Sequence, residues 1–351
     1  MKPFERIRAV LERRDVDRLP VDLWCVPEVL DALRAYTGVD DEMAVYDALG
    51  LDKICWVFPD YTATPPVPGG ADSVSCWGVP YRDVTSGQAT YSEVAANPLG
   101  DFDSIDQLDS YPWPDPALFD YAGAQQQADR ARSWGFATIG PWISHFEIYC
   151  QMRGLENALM DTLADEDFLQ AALDRIEAVQ TEVVRRHLAA LGDRCDLVFI
   201  SDDMGTQTGQ LMGLGTWETH FKPRVARWCD LIHRFGAKAL YHSDGACSYI
   251  IPGLIECGVD VLNPIQHVCP GMDRESLKAG FGEDLVFHGG VENQQILPFG
   301  TSAEVAAETR RCLDTLGEDN HGYIVCSCHN IQAGTPIANI LAMIHTVQDS
   351  Q

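Results

Sequence analysis

Short runs of β-forming residues recur along the whole chain, and most are followed by a stretch with helical periodicity. In EDFLQAALDRIEAVQ, for example, apolar residues return every three or four positions, which is typical of a helix packed on one face. Strand and helix in steady alternation imply a parallel sheet, and eight such units close into a (β/α)₈ barrel of the α/β class. The eight runs are VDLWC (21–25), KICWVF (53–58), FATIG (136–140), DLVFISDD (196–203), KALYHSDG (238–245), VDVLNPIQ (259–266), LVFHGGV (285–291) and GYIVCSCHN (322–330).

One segment interrupts this alternation. Residues 59–116 are rich in Pro, Gly, Asp and Ser and contain PPVPGG and YPWPDP, whereas CWGVPYRDV supplies aromatic residues able to anchor the segment. We interpret 59–116 as an irregular insertion over the C-terminal mouth of the barrel. The prediction is therefore a single domain spanning residues 1–351, which is a size that suits a barrel with insertions.

The charge balance excludes several classes of partner. Lys and Arg number 25 against 52 Asp and Glu, a formal net charge of −27, so few cations are free to neutralise nucleic-acid phosphates or anionic lipids. The opening MKPFERIRAVLERR is charged and amphipathic, unlike a secretory signal, and no apolar run approaches the roughly 20 residues that span a bilayer. We expect a cytoplasmic protein, and a homodimer is compatible with its sequence. Its 12 cysteines are then free thiols or metal ligands.

The predicted strands begin apolar and end in polar or metal-competent residues. In a (β/α)₈ barrel the carboxyl ends of the strands meet at one face, and that face carries the chemistry. These tails therefore converge on one predicted site. They contain Ser201, Asp202 and Asp203; His242, Ser243 and Asp244; Asn263 and Gln266; His288, Gly289 and Gly290; and Cys326, Cys328, His329 and Asn330.

Two of these tails carry a pattern suited to a metal. Side chains two residues apart on a strand point the same way, which places His242 with Asp244 and Cys326 with Cys328. Zinc binds nitrogen, thiolate and carboxylate ligands, and a catalytic zinc keeps one position open. The alternative is that the cysteines pack the barrel while His242 and Asp244 form a hydrogen bond.

The remaining candidates lie near the same strand ends. Asp202 and Asp203 can orient a histidine ligand, transfer protons or bind metal, and their structural alternative is capping of the following turn. Aromatic residues around the insertion, Tyr61 and Trp77 among them, suit either a planar substrate pocket or ordinary lid packing. The expected substrate contacts are Trp56, Phe58, Glu147, His288, His329 and Asn330, each with a structural alternative in lid packing, polar lining, helix-dipole compensation or loop stabilisation.

Six long segments carry a family likeness: FERIRAVLERRDVDRLPV, DDMGTQTGQLMGLGTWETHFKPRVARWCDLIHRFGAKALYHSDG, LIECGVDVLNPIQ, PGMDRESLKAGFG, FHGGVENQQILPFGT and CHNIQAGTPIANILAM. In this order and over nearly the whole chain, they resemble the uroporphyrinogen decarboxylase superfamily. The likeness is closer to the corrinoid-linked methyltransferase branch than to the porphyrin enzyme. The true decarboxylases carry an R-Q-A-G-R motif after the first strand, but this chain has WCVPEVL there and no arginine until Arg34. A substrate with eight carboxylates needs cationic hosts, so the absence of this arginine motif argues against haem biosynthesis.

The methyltransferase branch implies zinc and a cobamide carried by a partner corrinoid protein. Its thiol methyltransferases hold zinc with H-x-C at the fifth strand and a Cys near the last, positions that His242 and Cys328 match, whereas Asp244 replaces the first Cys. A carboxylate in place of a thiolate leaves zinc harder and better suited to an ether oxygen. The prediction is thus transfer of a methyl group from a small donor, a methyl ether, to cob(I)amide.

The predicted residues divide into two overlapping sets. The catalytic ones are Asp202, Asp203 and Asp244, and the metal ligands are His242, Asp244, Cys326 and Cys328. Other functions stay open at this point. They are a methylcobamide:thiol methyltransferase, a decarboxylase of a non-porphyrin acid that needs no metal, and a sensor that binds a small molecule without turnover.

Overall fold

A computed structural model describes residues 1–86 and 89–350. A seven-stranded sheet forms its centre, with parallel strands in the order β1-β7-β8-β9-β10-β11-β12. Neighbouring strands of this sheet therefore follow one another along the chain, as in a barrel wound in one direction. The strands are β1 Ile54–Trp56, β2 Asp60–Tyr61, β3 Ser73–Val74, β4 Pro80–Ser86, β5 Ala89–Val94, β6 Phe119–Asp120, β7 Ala137–Ile143, β8 Leu197–Ser201, β9 Lys238–His242, β10 Val261–Asn263, β11 Val286–Val291 and β12 Tyr323–Ser327.

The helices lie between these strands and bury one apolar stripe each. In the long α8, for example, the buried positions recur at helical spacing from Phe168 to Leu191. Among the described residues, no helix combines the length and the apolar character needed to cross a membrane. The helices are α1 Pro3–Leu11, α2 Pro27–Thr37, α3 Glu42–Ala48, α4 Ile105–Asp109, α5 Tyr121–Ser133, α6 Phe146–Arg153, α7 Leu155–Ala164, α8 Glu166–Leu191, α9 Leu214–His220, α10 Lys222–Arg234, α11 Ile251–Cys257, α12 Arg274–Phe281, α13 Ile296–Phe299, α14 Ser302–Leu316 and α15 Ile337–Gln348.

The predicted first strand, residues 21–25, joins the two edges of the sheet. On one side it forms two parallel bridges, Val21 with Val325 in β12 and Cys25 with Ile331 in the loop after β12. On the other side, just before β1, the backbone N–H of Asp52 donates to the Val21 carbonyl at 2.8 Å. The (β/α)₈ fold is thus confirmed. The run is not a continuous strand, however, because the carboxylate of Asp22 accepts local bonds, including the Leu23 N–H at 2.7 Å.

The insertion is more regular than the sequence suggested. Strands β3, β4 and β5 form an antiparallel sheet, and β2 pairs with β6. The strands of this small sheet are polar and largely exposed, so they lack the apolar alternation by which a half-buried strand is recognised. The insertion reaches the C-terminal loops as expected, since the Tyr91 hydroxyl donates to Oε1 of Gln332 at 2.8 Å.

Ion pairs hold the opposite, N-terminal face of the barrel. Asp196 precedes β8, is buried, and accepts from Arg8 at 2.7 Å, from Arg132 at 2.8 Å and from the Thr138 backbone N–H at 2.8 Å. A buried carboxylate with several charge-assisted partners is stabilised where an unpaired one is costly. This face therefore supports the fold, which leaves the C-terminal face for chemistry.

Two glycines let the loops after β8 and β9 touch backbone to backbone. A Cβ on Gly205 would lie 2.5 Å from the Ala246 nitrogen, and a Cβ on Gly245 would lie 2.6 Å from the Thr206 carbonyl oxygen. Gly245 also has a φ of +79°, which side-chain-bearing residues rarely adopt. These contacts bring Asp203, two residues before Gly205, next to Asp244, which directly precedes Gly245.

Substituting Gly245→Ala should therefore destabilise the protein by about 3 kcal/mol, because the methyl group adds a backbone clash to the strain of a positive φ. The matched control is Gly38→Ala, which also has a positive φ (+74°) but open space around it within the described residues, and should cost only about 1 kcal/mol. Chemical denaturation of both variants measures the difference. Equal losses would show that the loops do not depend on this contact.

Candidate metal centre

Three side chains at the C-terminal face lie close enough to share one ion. His242 ends β9, Asp244 follows two residues later, and His329 lies in the loop after β12. One potential ligand atom of each lies within 4.8 Å of the others. The Nε2 atom of His242 is 4.0 Å from Oδ1 of Asp244, and Nε2 of His329 is 3.8 Å from Oδ2 of the same carboxylate.

A second carboxylate, Asp203, approaches this group from the end of β8. Its Oδ1 lies 3.8 Å from Nε2 of His242 and accepts the backbone N–H of Asp244 at 2.8 Å. Burial raises the pKa of Asp244, and the negative charge of Asp203 adds to that shift while His242 opposes it. Two acids held this close repel each other, so a cation between them would be stabilised.

The donor set fits zinc. Nδ1 of His242 contacts Oδ1 of Asn263 at 2.5 Å, which leaves Nε2 facing the carboxylates. Imidazole nitrogens and carboxylate oxygens are both ligands that zinc accepts. The His242 side chain is 9 % exposed and that of His329 is 46 % exposed, so the group is anchored in the barrel and open on its outer side. An open side is what a catalytic, rather than structural, zinc requires.

That open side leads into a cavity of about 570 Å³. Side-chain amides are prominent in its wall, Phe299 forms part of its rim and is 78 % exposed, and no Lys or Arg is among its described lining residues. The cavity therefore suits an uncharged ligand. It is lined by Gln207, Asp244, Gln266, Asn293, Gln294, Pro298, Phe299, Cys328, His329, Gln332, Ala333 and Gly334.

The two cysteines expected as ligands lie in different surroundings. Cys328 is in the cavity wall, but its thiol donates to the Ile265 carbonyl at 3.2 Å, and burial raises its pKa well above the ordinary value. Cys326 lies with Asp22 and His288 inside the barrel. Strand β12 ends at Ser327, so strand alternation does not extend to Cys328. Both cysteines stay predicted ligands that no observation tests.

Within the described residues, the structure thus groups His242 and Asp244 with His329 rather than with a cysteine. Sequence reasoning had assigned His329 to the substrate. Little in the sequence indicated that His329 could be a metal ligand. It lies in a loop, and no periodic pattern in the sequence predicts the direction of a loop side chain. A second group, Asp22 with His288 and Cys326, is fully buried and has no need of a cation, because the Lys53 ammonium lies 2.8 Å from Oδ1 of Asp22.

Asp202, a predicted catalytic residue, serves as a cap in this structure. Its fully buried carboxylate accepts the Ser144 hydroxyl at 2.7 Å and the backbone N–H groups of His145, Phe146 and Glu147 at 3.2, 2.7 and 3.2 Å. Burial raises its pKa to about 6, and these bonds oppose that rise. Capping was foreseen, although for the turn after β8, whereas the observed contact is with the start of α6.

Glu147, in the first turn of α6, stands beside the site. The Ser201 hydroxyl donates to its Oε2 at 3.1 Å, and Ser201 is in register with His242 on the next strand. Burial raises the pKa of Glu147 to about 7, and the charge of Asp203 contributes to the shift. A carboxylic acid that keeps its proton near neutral pH is suited to general acid catalysis.

The aromatic candidates lie between two further cavities. Trp56 and Phe58 stack with ring centroids 5.4 Å apart, and Trp56 lines a cavity of about 520 Å³ together with Asn330. Phe58 lines one of about 380 Å³ that Trp77 and Trp142 also border. These residues thus reach open space where a ligand can enter.

His288 differs from the other expected substrate contacts. It is fully buried, and both of its ring nitrogens contact protein atoms, Asn263 at 2.7 Å and Asp22 at 3.2 Å. Its surroundings are those of an interior hydrogen-bonding residue. The predicted contact between His288 and a substrate is therefore untested, and this arrangement does not support it.

Every Lys and Arg among the described residues that line the 520 Å³ cavity is paired with an acid. Each already has the kind of partner that a substrate carboxylate would provide. The pairs are Arg34–Asp31 at 2.7 Å, Arg130–Asp41 at 2.5 Å and Lys53–Asp22 at 2.8 Å.

Solved structures with a similar fold include a methyltransferase from Methanosarcina mazei, with a TM-score of 0.73 at 15 % sequence identity over 99 % of each chain. At that identity the match shows the fold. Dispersin B follows with a TM-score of 0.43 at 10 % identity, over 95 % of this chain and 100 % of its own. The 3-keto-D-glucoside 4-epimerase from E. coli gives 0.38 at 12 % identity, over 73 % and 95 %. Scores this low support no argument.

Sequence comparison gives a more definite result. No curated protein matches the chain. Residues 83–350, however, match the uroporphyrinogen decarboxylase (URO-D) family. That range includes β8 to β12 and all four side chains of the candidate metal centre. The chain therefore belongs to the uroporphyrinogen decarboxylase family, as its sequence motifs implied.

Proposed function

We propose that this protein is a zinc-dependent methyltransferase that moves a methyl group from a small methyl ether to a cobamide held by a partner corrinoid protein. The observation that carries the proposal is the group of His242, Asp244 and His329, nitrogen and oxygen donors that open onto a neutral cavity. The fold shared with the Methanosarcina methyltransferase supports the reaction class. The corrinoid partner, a homodimer and a cytoplasmic location are expectations from sequence.

In this proposal His242, Asp244 and His329 hold the metal. Bound zinc supplies a Lewis acid for the ether oxygen, and a set without thiolate favours oxygen as its ligand. Asp203 fixes the loop of Asp244 through the hydrogen bond to its backbone N–H. These side chains would hold the metal at the mouth of the cavity, and zinc there would supply positive charge for the oxygen from which the methyl group leaves.

The cavities support an uncharged donor. No Lys or Arg is among the described residues that line the 570 Å³ cavity, so a carboxylate or phosphate finds no counter-ion there. Phe299 at the rim of the same cavity offers an aromatic face to a planar ring, and a separate cavity of about 380 Å³ is bordered by Phe58, Trp77 and Trp142. A methoxylated aromatic compound combines both properties.

Glu147 is our candidate for the proton donor. Methyl ethers are inert because alkoxide and phenoxide leave poorly, so the departing oxygen needs a proton or a positive charge. The methyl group leaves for the cobamide, and the oxygen, which keeps the bonding electron pair, takes the proton of Glu147 to form an alcohol or phenol. Sequence reasoning gave this role to Asp203, but Glu147 is a half-buried acid beside the site, and its pKa is raised to about 7.

A decarboxylase acting on another acid is the second candidate, and the family match favours it. Such an enzyme would need a cation for the substrate carboxylate, and the cations that line the 520 Å³ cavity are already paired. Activity that survives complete removal of metal would favour this candidate over the methyltransferase.

The purified protein should carry about one zinc per chain, because the described donors form one open site. His242→Ala and His329→Ala should each lose most of the metal, whereas His345→Ala, on the surface of α15, should keep it. Elemental analysis of protein purified without chelators measures this. Cys328→Ser should also keep its zinc, and loss of zinc from that variant together with retention in His329→Ala would restore the cysteine as the ligand.

With a methoxylated aromatic donor, the protein should methylate free or protein-bound cob(I)alamin, and His242→Ala should not. The assay follows cob(I)alamin absorbance over a panel of methyl ethers, methylated thiols and simple methyl donors. If methylcobalamin instead methylates a thiol and no ether reacts, the protein acts on the acceptor side and the proposal is wrong. Uroporphyrinogen should give no decarboxylation.

The rate of methyl transfer should fall as pH rises through about 7, because Glu147 then loses the proton it must donate. Glu147→Gln should lower the rate by roughly 10²- to 10⁴-fold and remove this pH dependence. Asp203→Asn should keep the dependence but move it to lower pH, since Asp203 contributes to the raised pKa. If the pH dependence of the rate disappears in Asp203→Asn and persists in Glu147→Gln, Asp203 is the acid instead.

A further inference from the structure

A line of buried polar side chains runs through the barrel interior behind His242. It comprises His242, Asn263, His288, Asp22 and Lys53, contributed by successive elements around the barrel. We propose that Asn263, His288 and Asp22 are positioning residues that hold the proton of His242 on Nδ1, so that the Nε2 lone pair faces Asp203 and Asp244. The tautomer follows from the geometry alone, and only its use in metal binding rests on the proposed function.

The line starts at an acceptor. Asp22 is fully buried, and its carboxylate accepts the Lys53 ammonium at 2.8 Å, the Trp24 indole N–H at 2.8 Å and the Leu23 backbone N–H at 2.7 Å. Burial alone would raise its pKa, but Lys53 and His288 hold the pKa well below its usual range. An ionised carboxylate can only accept hydrogen bonds. Whatever else faces Asp22 must therefore donate.

Nε2 of His288 faces Oδ2 of Asp22 at 3.2 Å, so Nε2 carries a proton. Its Nδ1, 2.7 Å from Nδ2 of Asn263, then accepts from that amide. The amide nitrogen also lies 3.4 Å from the His288 carbonyl oxygen, a second acceptor on the same side. Both contacts orient the Asn263 side chain with nitrogen towards His288 and oxygen towards His242.

Oδ1 of Asn263 lies 2.5 Å from Nδ1 of His242, which must therefore be the protonated nitrogen. A neutral imidazole carries one ring proton, so Nε2 keeps its lone pair. Without the line behind it, His242 would favour the other tautomer, because the carboxylates of Asp203 and Asp244 near Nε2 would attract a proton there. A proton on Nε2 would block a metal. The buried line thus favours the His242 tautomer that the carboxylates of Asp203 and Asp244 disfavour.

The first test needs no substitution. In metal-free wild-type protein labelled with ¹⁵N-histidine, the ring nitrogens of His242 should show a protonated Nδ1 and an unprotonated Nε2, with the resonances assigned from His242→Gln. The inference is overturned if Nε2 carries the proton instead.

The second test compares two variants at Asn263. Asn263→Asp still offers an acceptor to Nδ1 of His242, so it should keep the tautomer and the zinc affinity. Asn263→Leu, of similar size, removes the acceptor and should weaken zinc binding about 10- to 100-fold in competition with a chromophoric chelator. A merely structural role would lower the melting temperature of Asn263→Leu without changing the tautomer or the affinity, and that result would contradict the inference. If Asn263→Leu does not fold, the wild-type spectrum and Asn263→Asp still decide.

These measurements separate the two claims. A His242 protonated on Nδ1 in a protein that binds no zinc would sink the proposed function and leave the inference standing. If the protein binds zinc but its metal-free form has the proton on Nε2 of His242, the inference fails and the proposed function stands.

Discussion

The parallel register of β8, β9 and β10 is the constraint on which the site depends. Ser201 pairs with His242 and His242 with Asn263 across neighbouring strands, so these side chains lie at one level of the barrel. Because every strand of the central sheet ends at the same face, the loops that follow bring Asp203 and Asp244 alongside. A slip of one residue in β9 would turn His242 out of the interior and separate it from both Asn263 and the carboxylates.

Acids of the same chemical type take different roles here because their surroundings differ. Asp22 is buried beside a lysine and stays ionised, which makes it a fixed acceptor at the end of the hydrogen-bonded line. Asp202 is equally buried, but backbone N–H groups use its oxygens to start α6. Glu147 lacks such a set of donors, so burial keeps it protonated near neutral pH. Together they show how one barrel combines a fixed acceptor, a helix cap and an acid with a raised pKa.

Much of this arrangement could be predicted from the sequence. The alternation of strand and helix identified the barrel, and polar strand ends identified the face with His242 and Asp244. The partners of Asp202 could not be predicted, because they lie in the loop after β7 and in α6, far from Asp202 along the chain. His329 was not placed beside His242 and Asp244 for a related reason. It lies beyond the last strand, where no periodic pattern limits the direction of a side chain, and its neighbour Cys328 carried the more familiar metal-binding chemistry.

The central claim is that nitrogen and oxygen atoms alone, from His242, Asp244 and His329, hold a metal at the barrel mouth. X-ray absorption at the zinc edge of the loaded protein tests it most directly, because sulfur and lighter ligands differ in distance and scattering. The account predicts a shell of nitrogen and oxygen at about 2.0–2.2 Å with the outer scattering of imidazole rings. A sulfur neighbour at about 2.3 Å would contradict it and assign Cys328 or Cys326 to the metal.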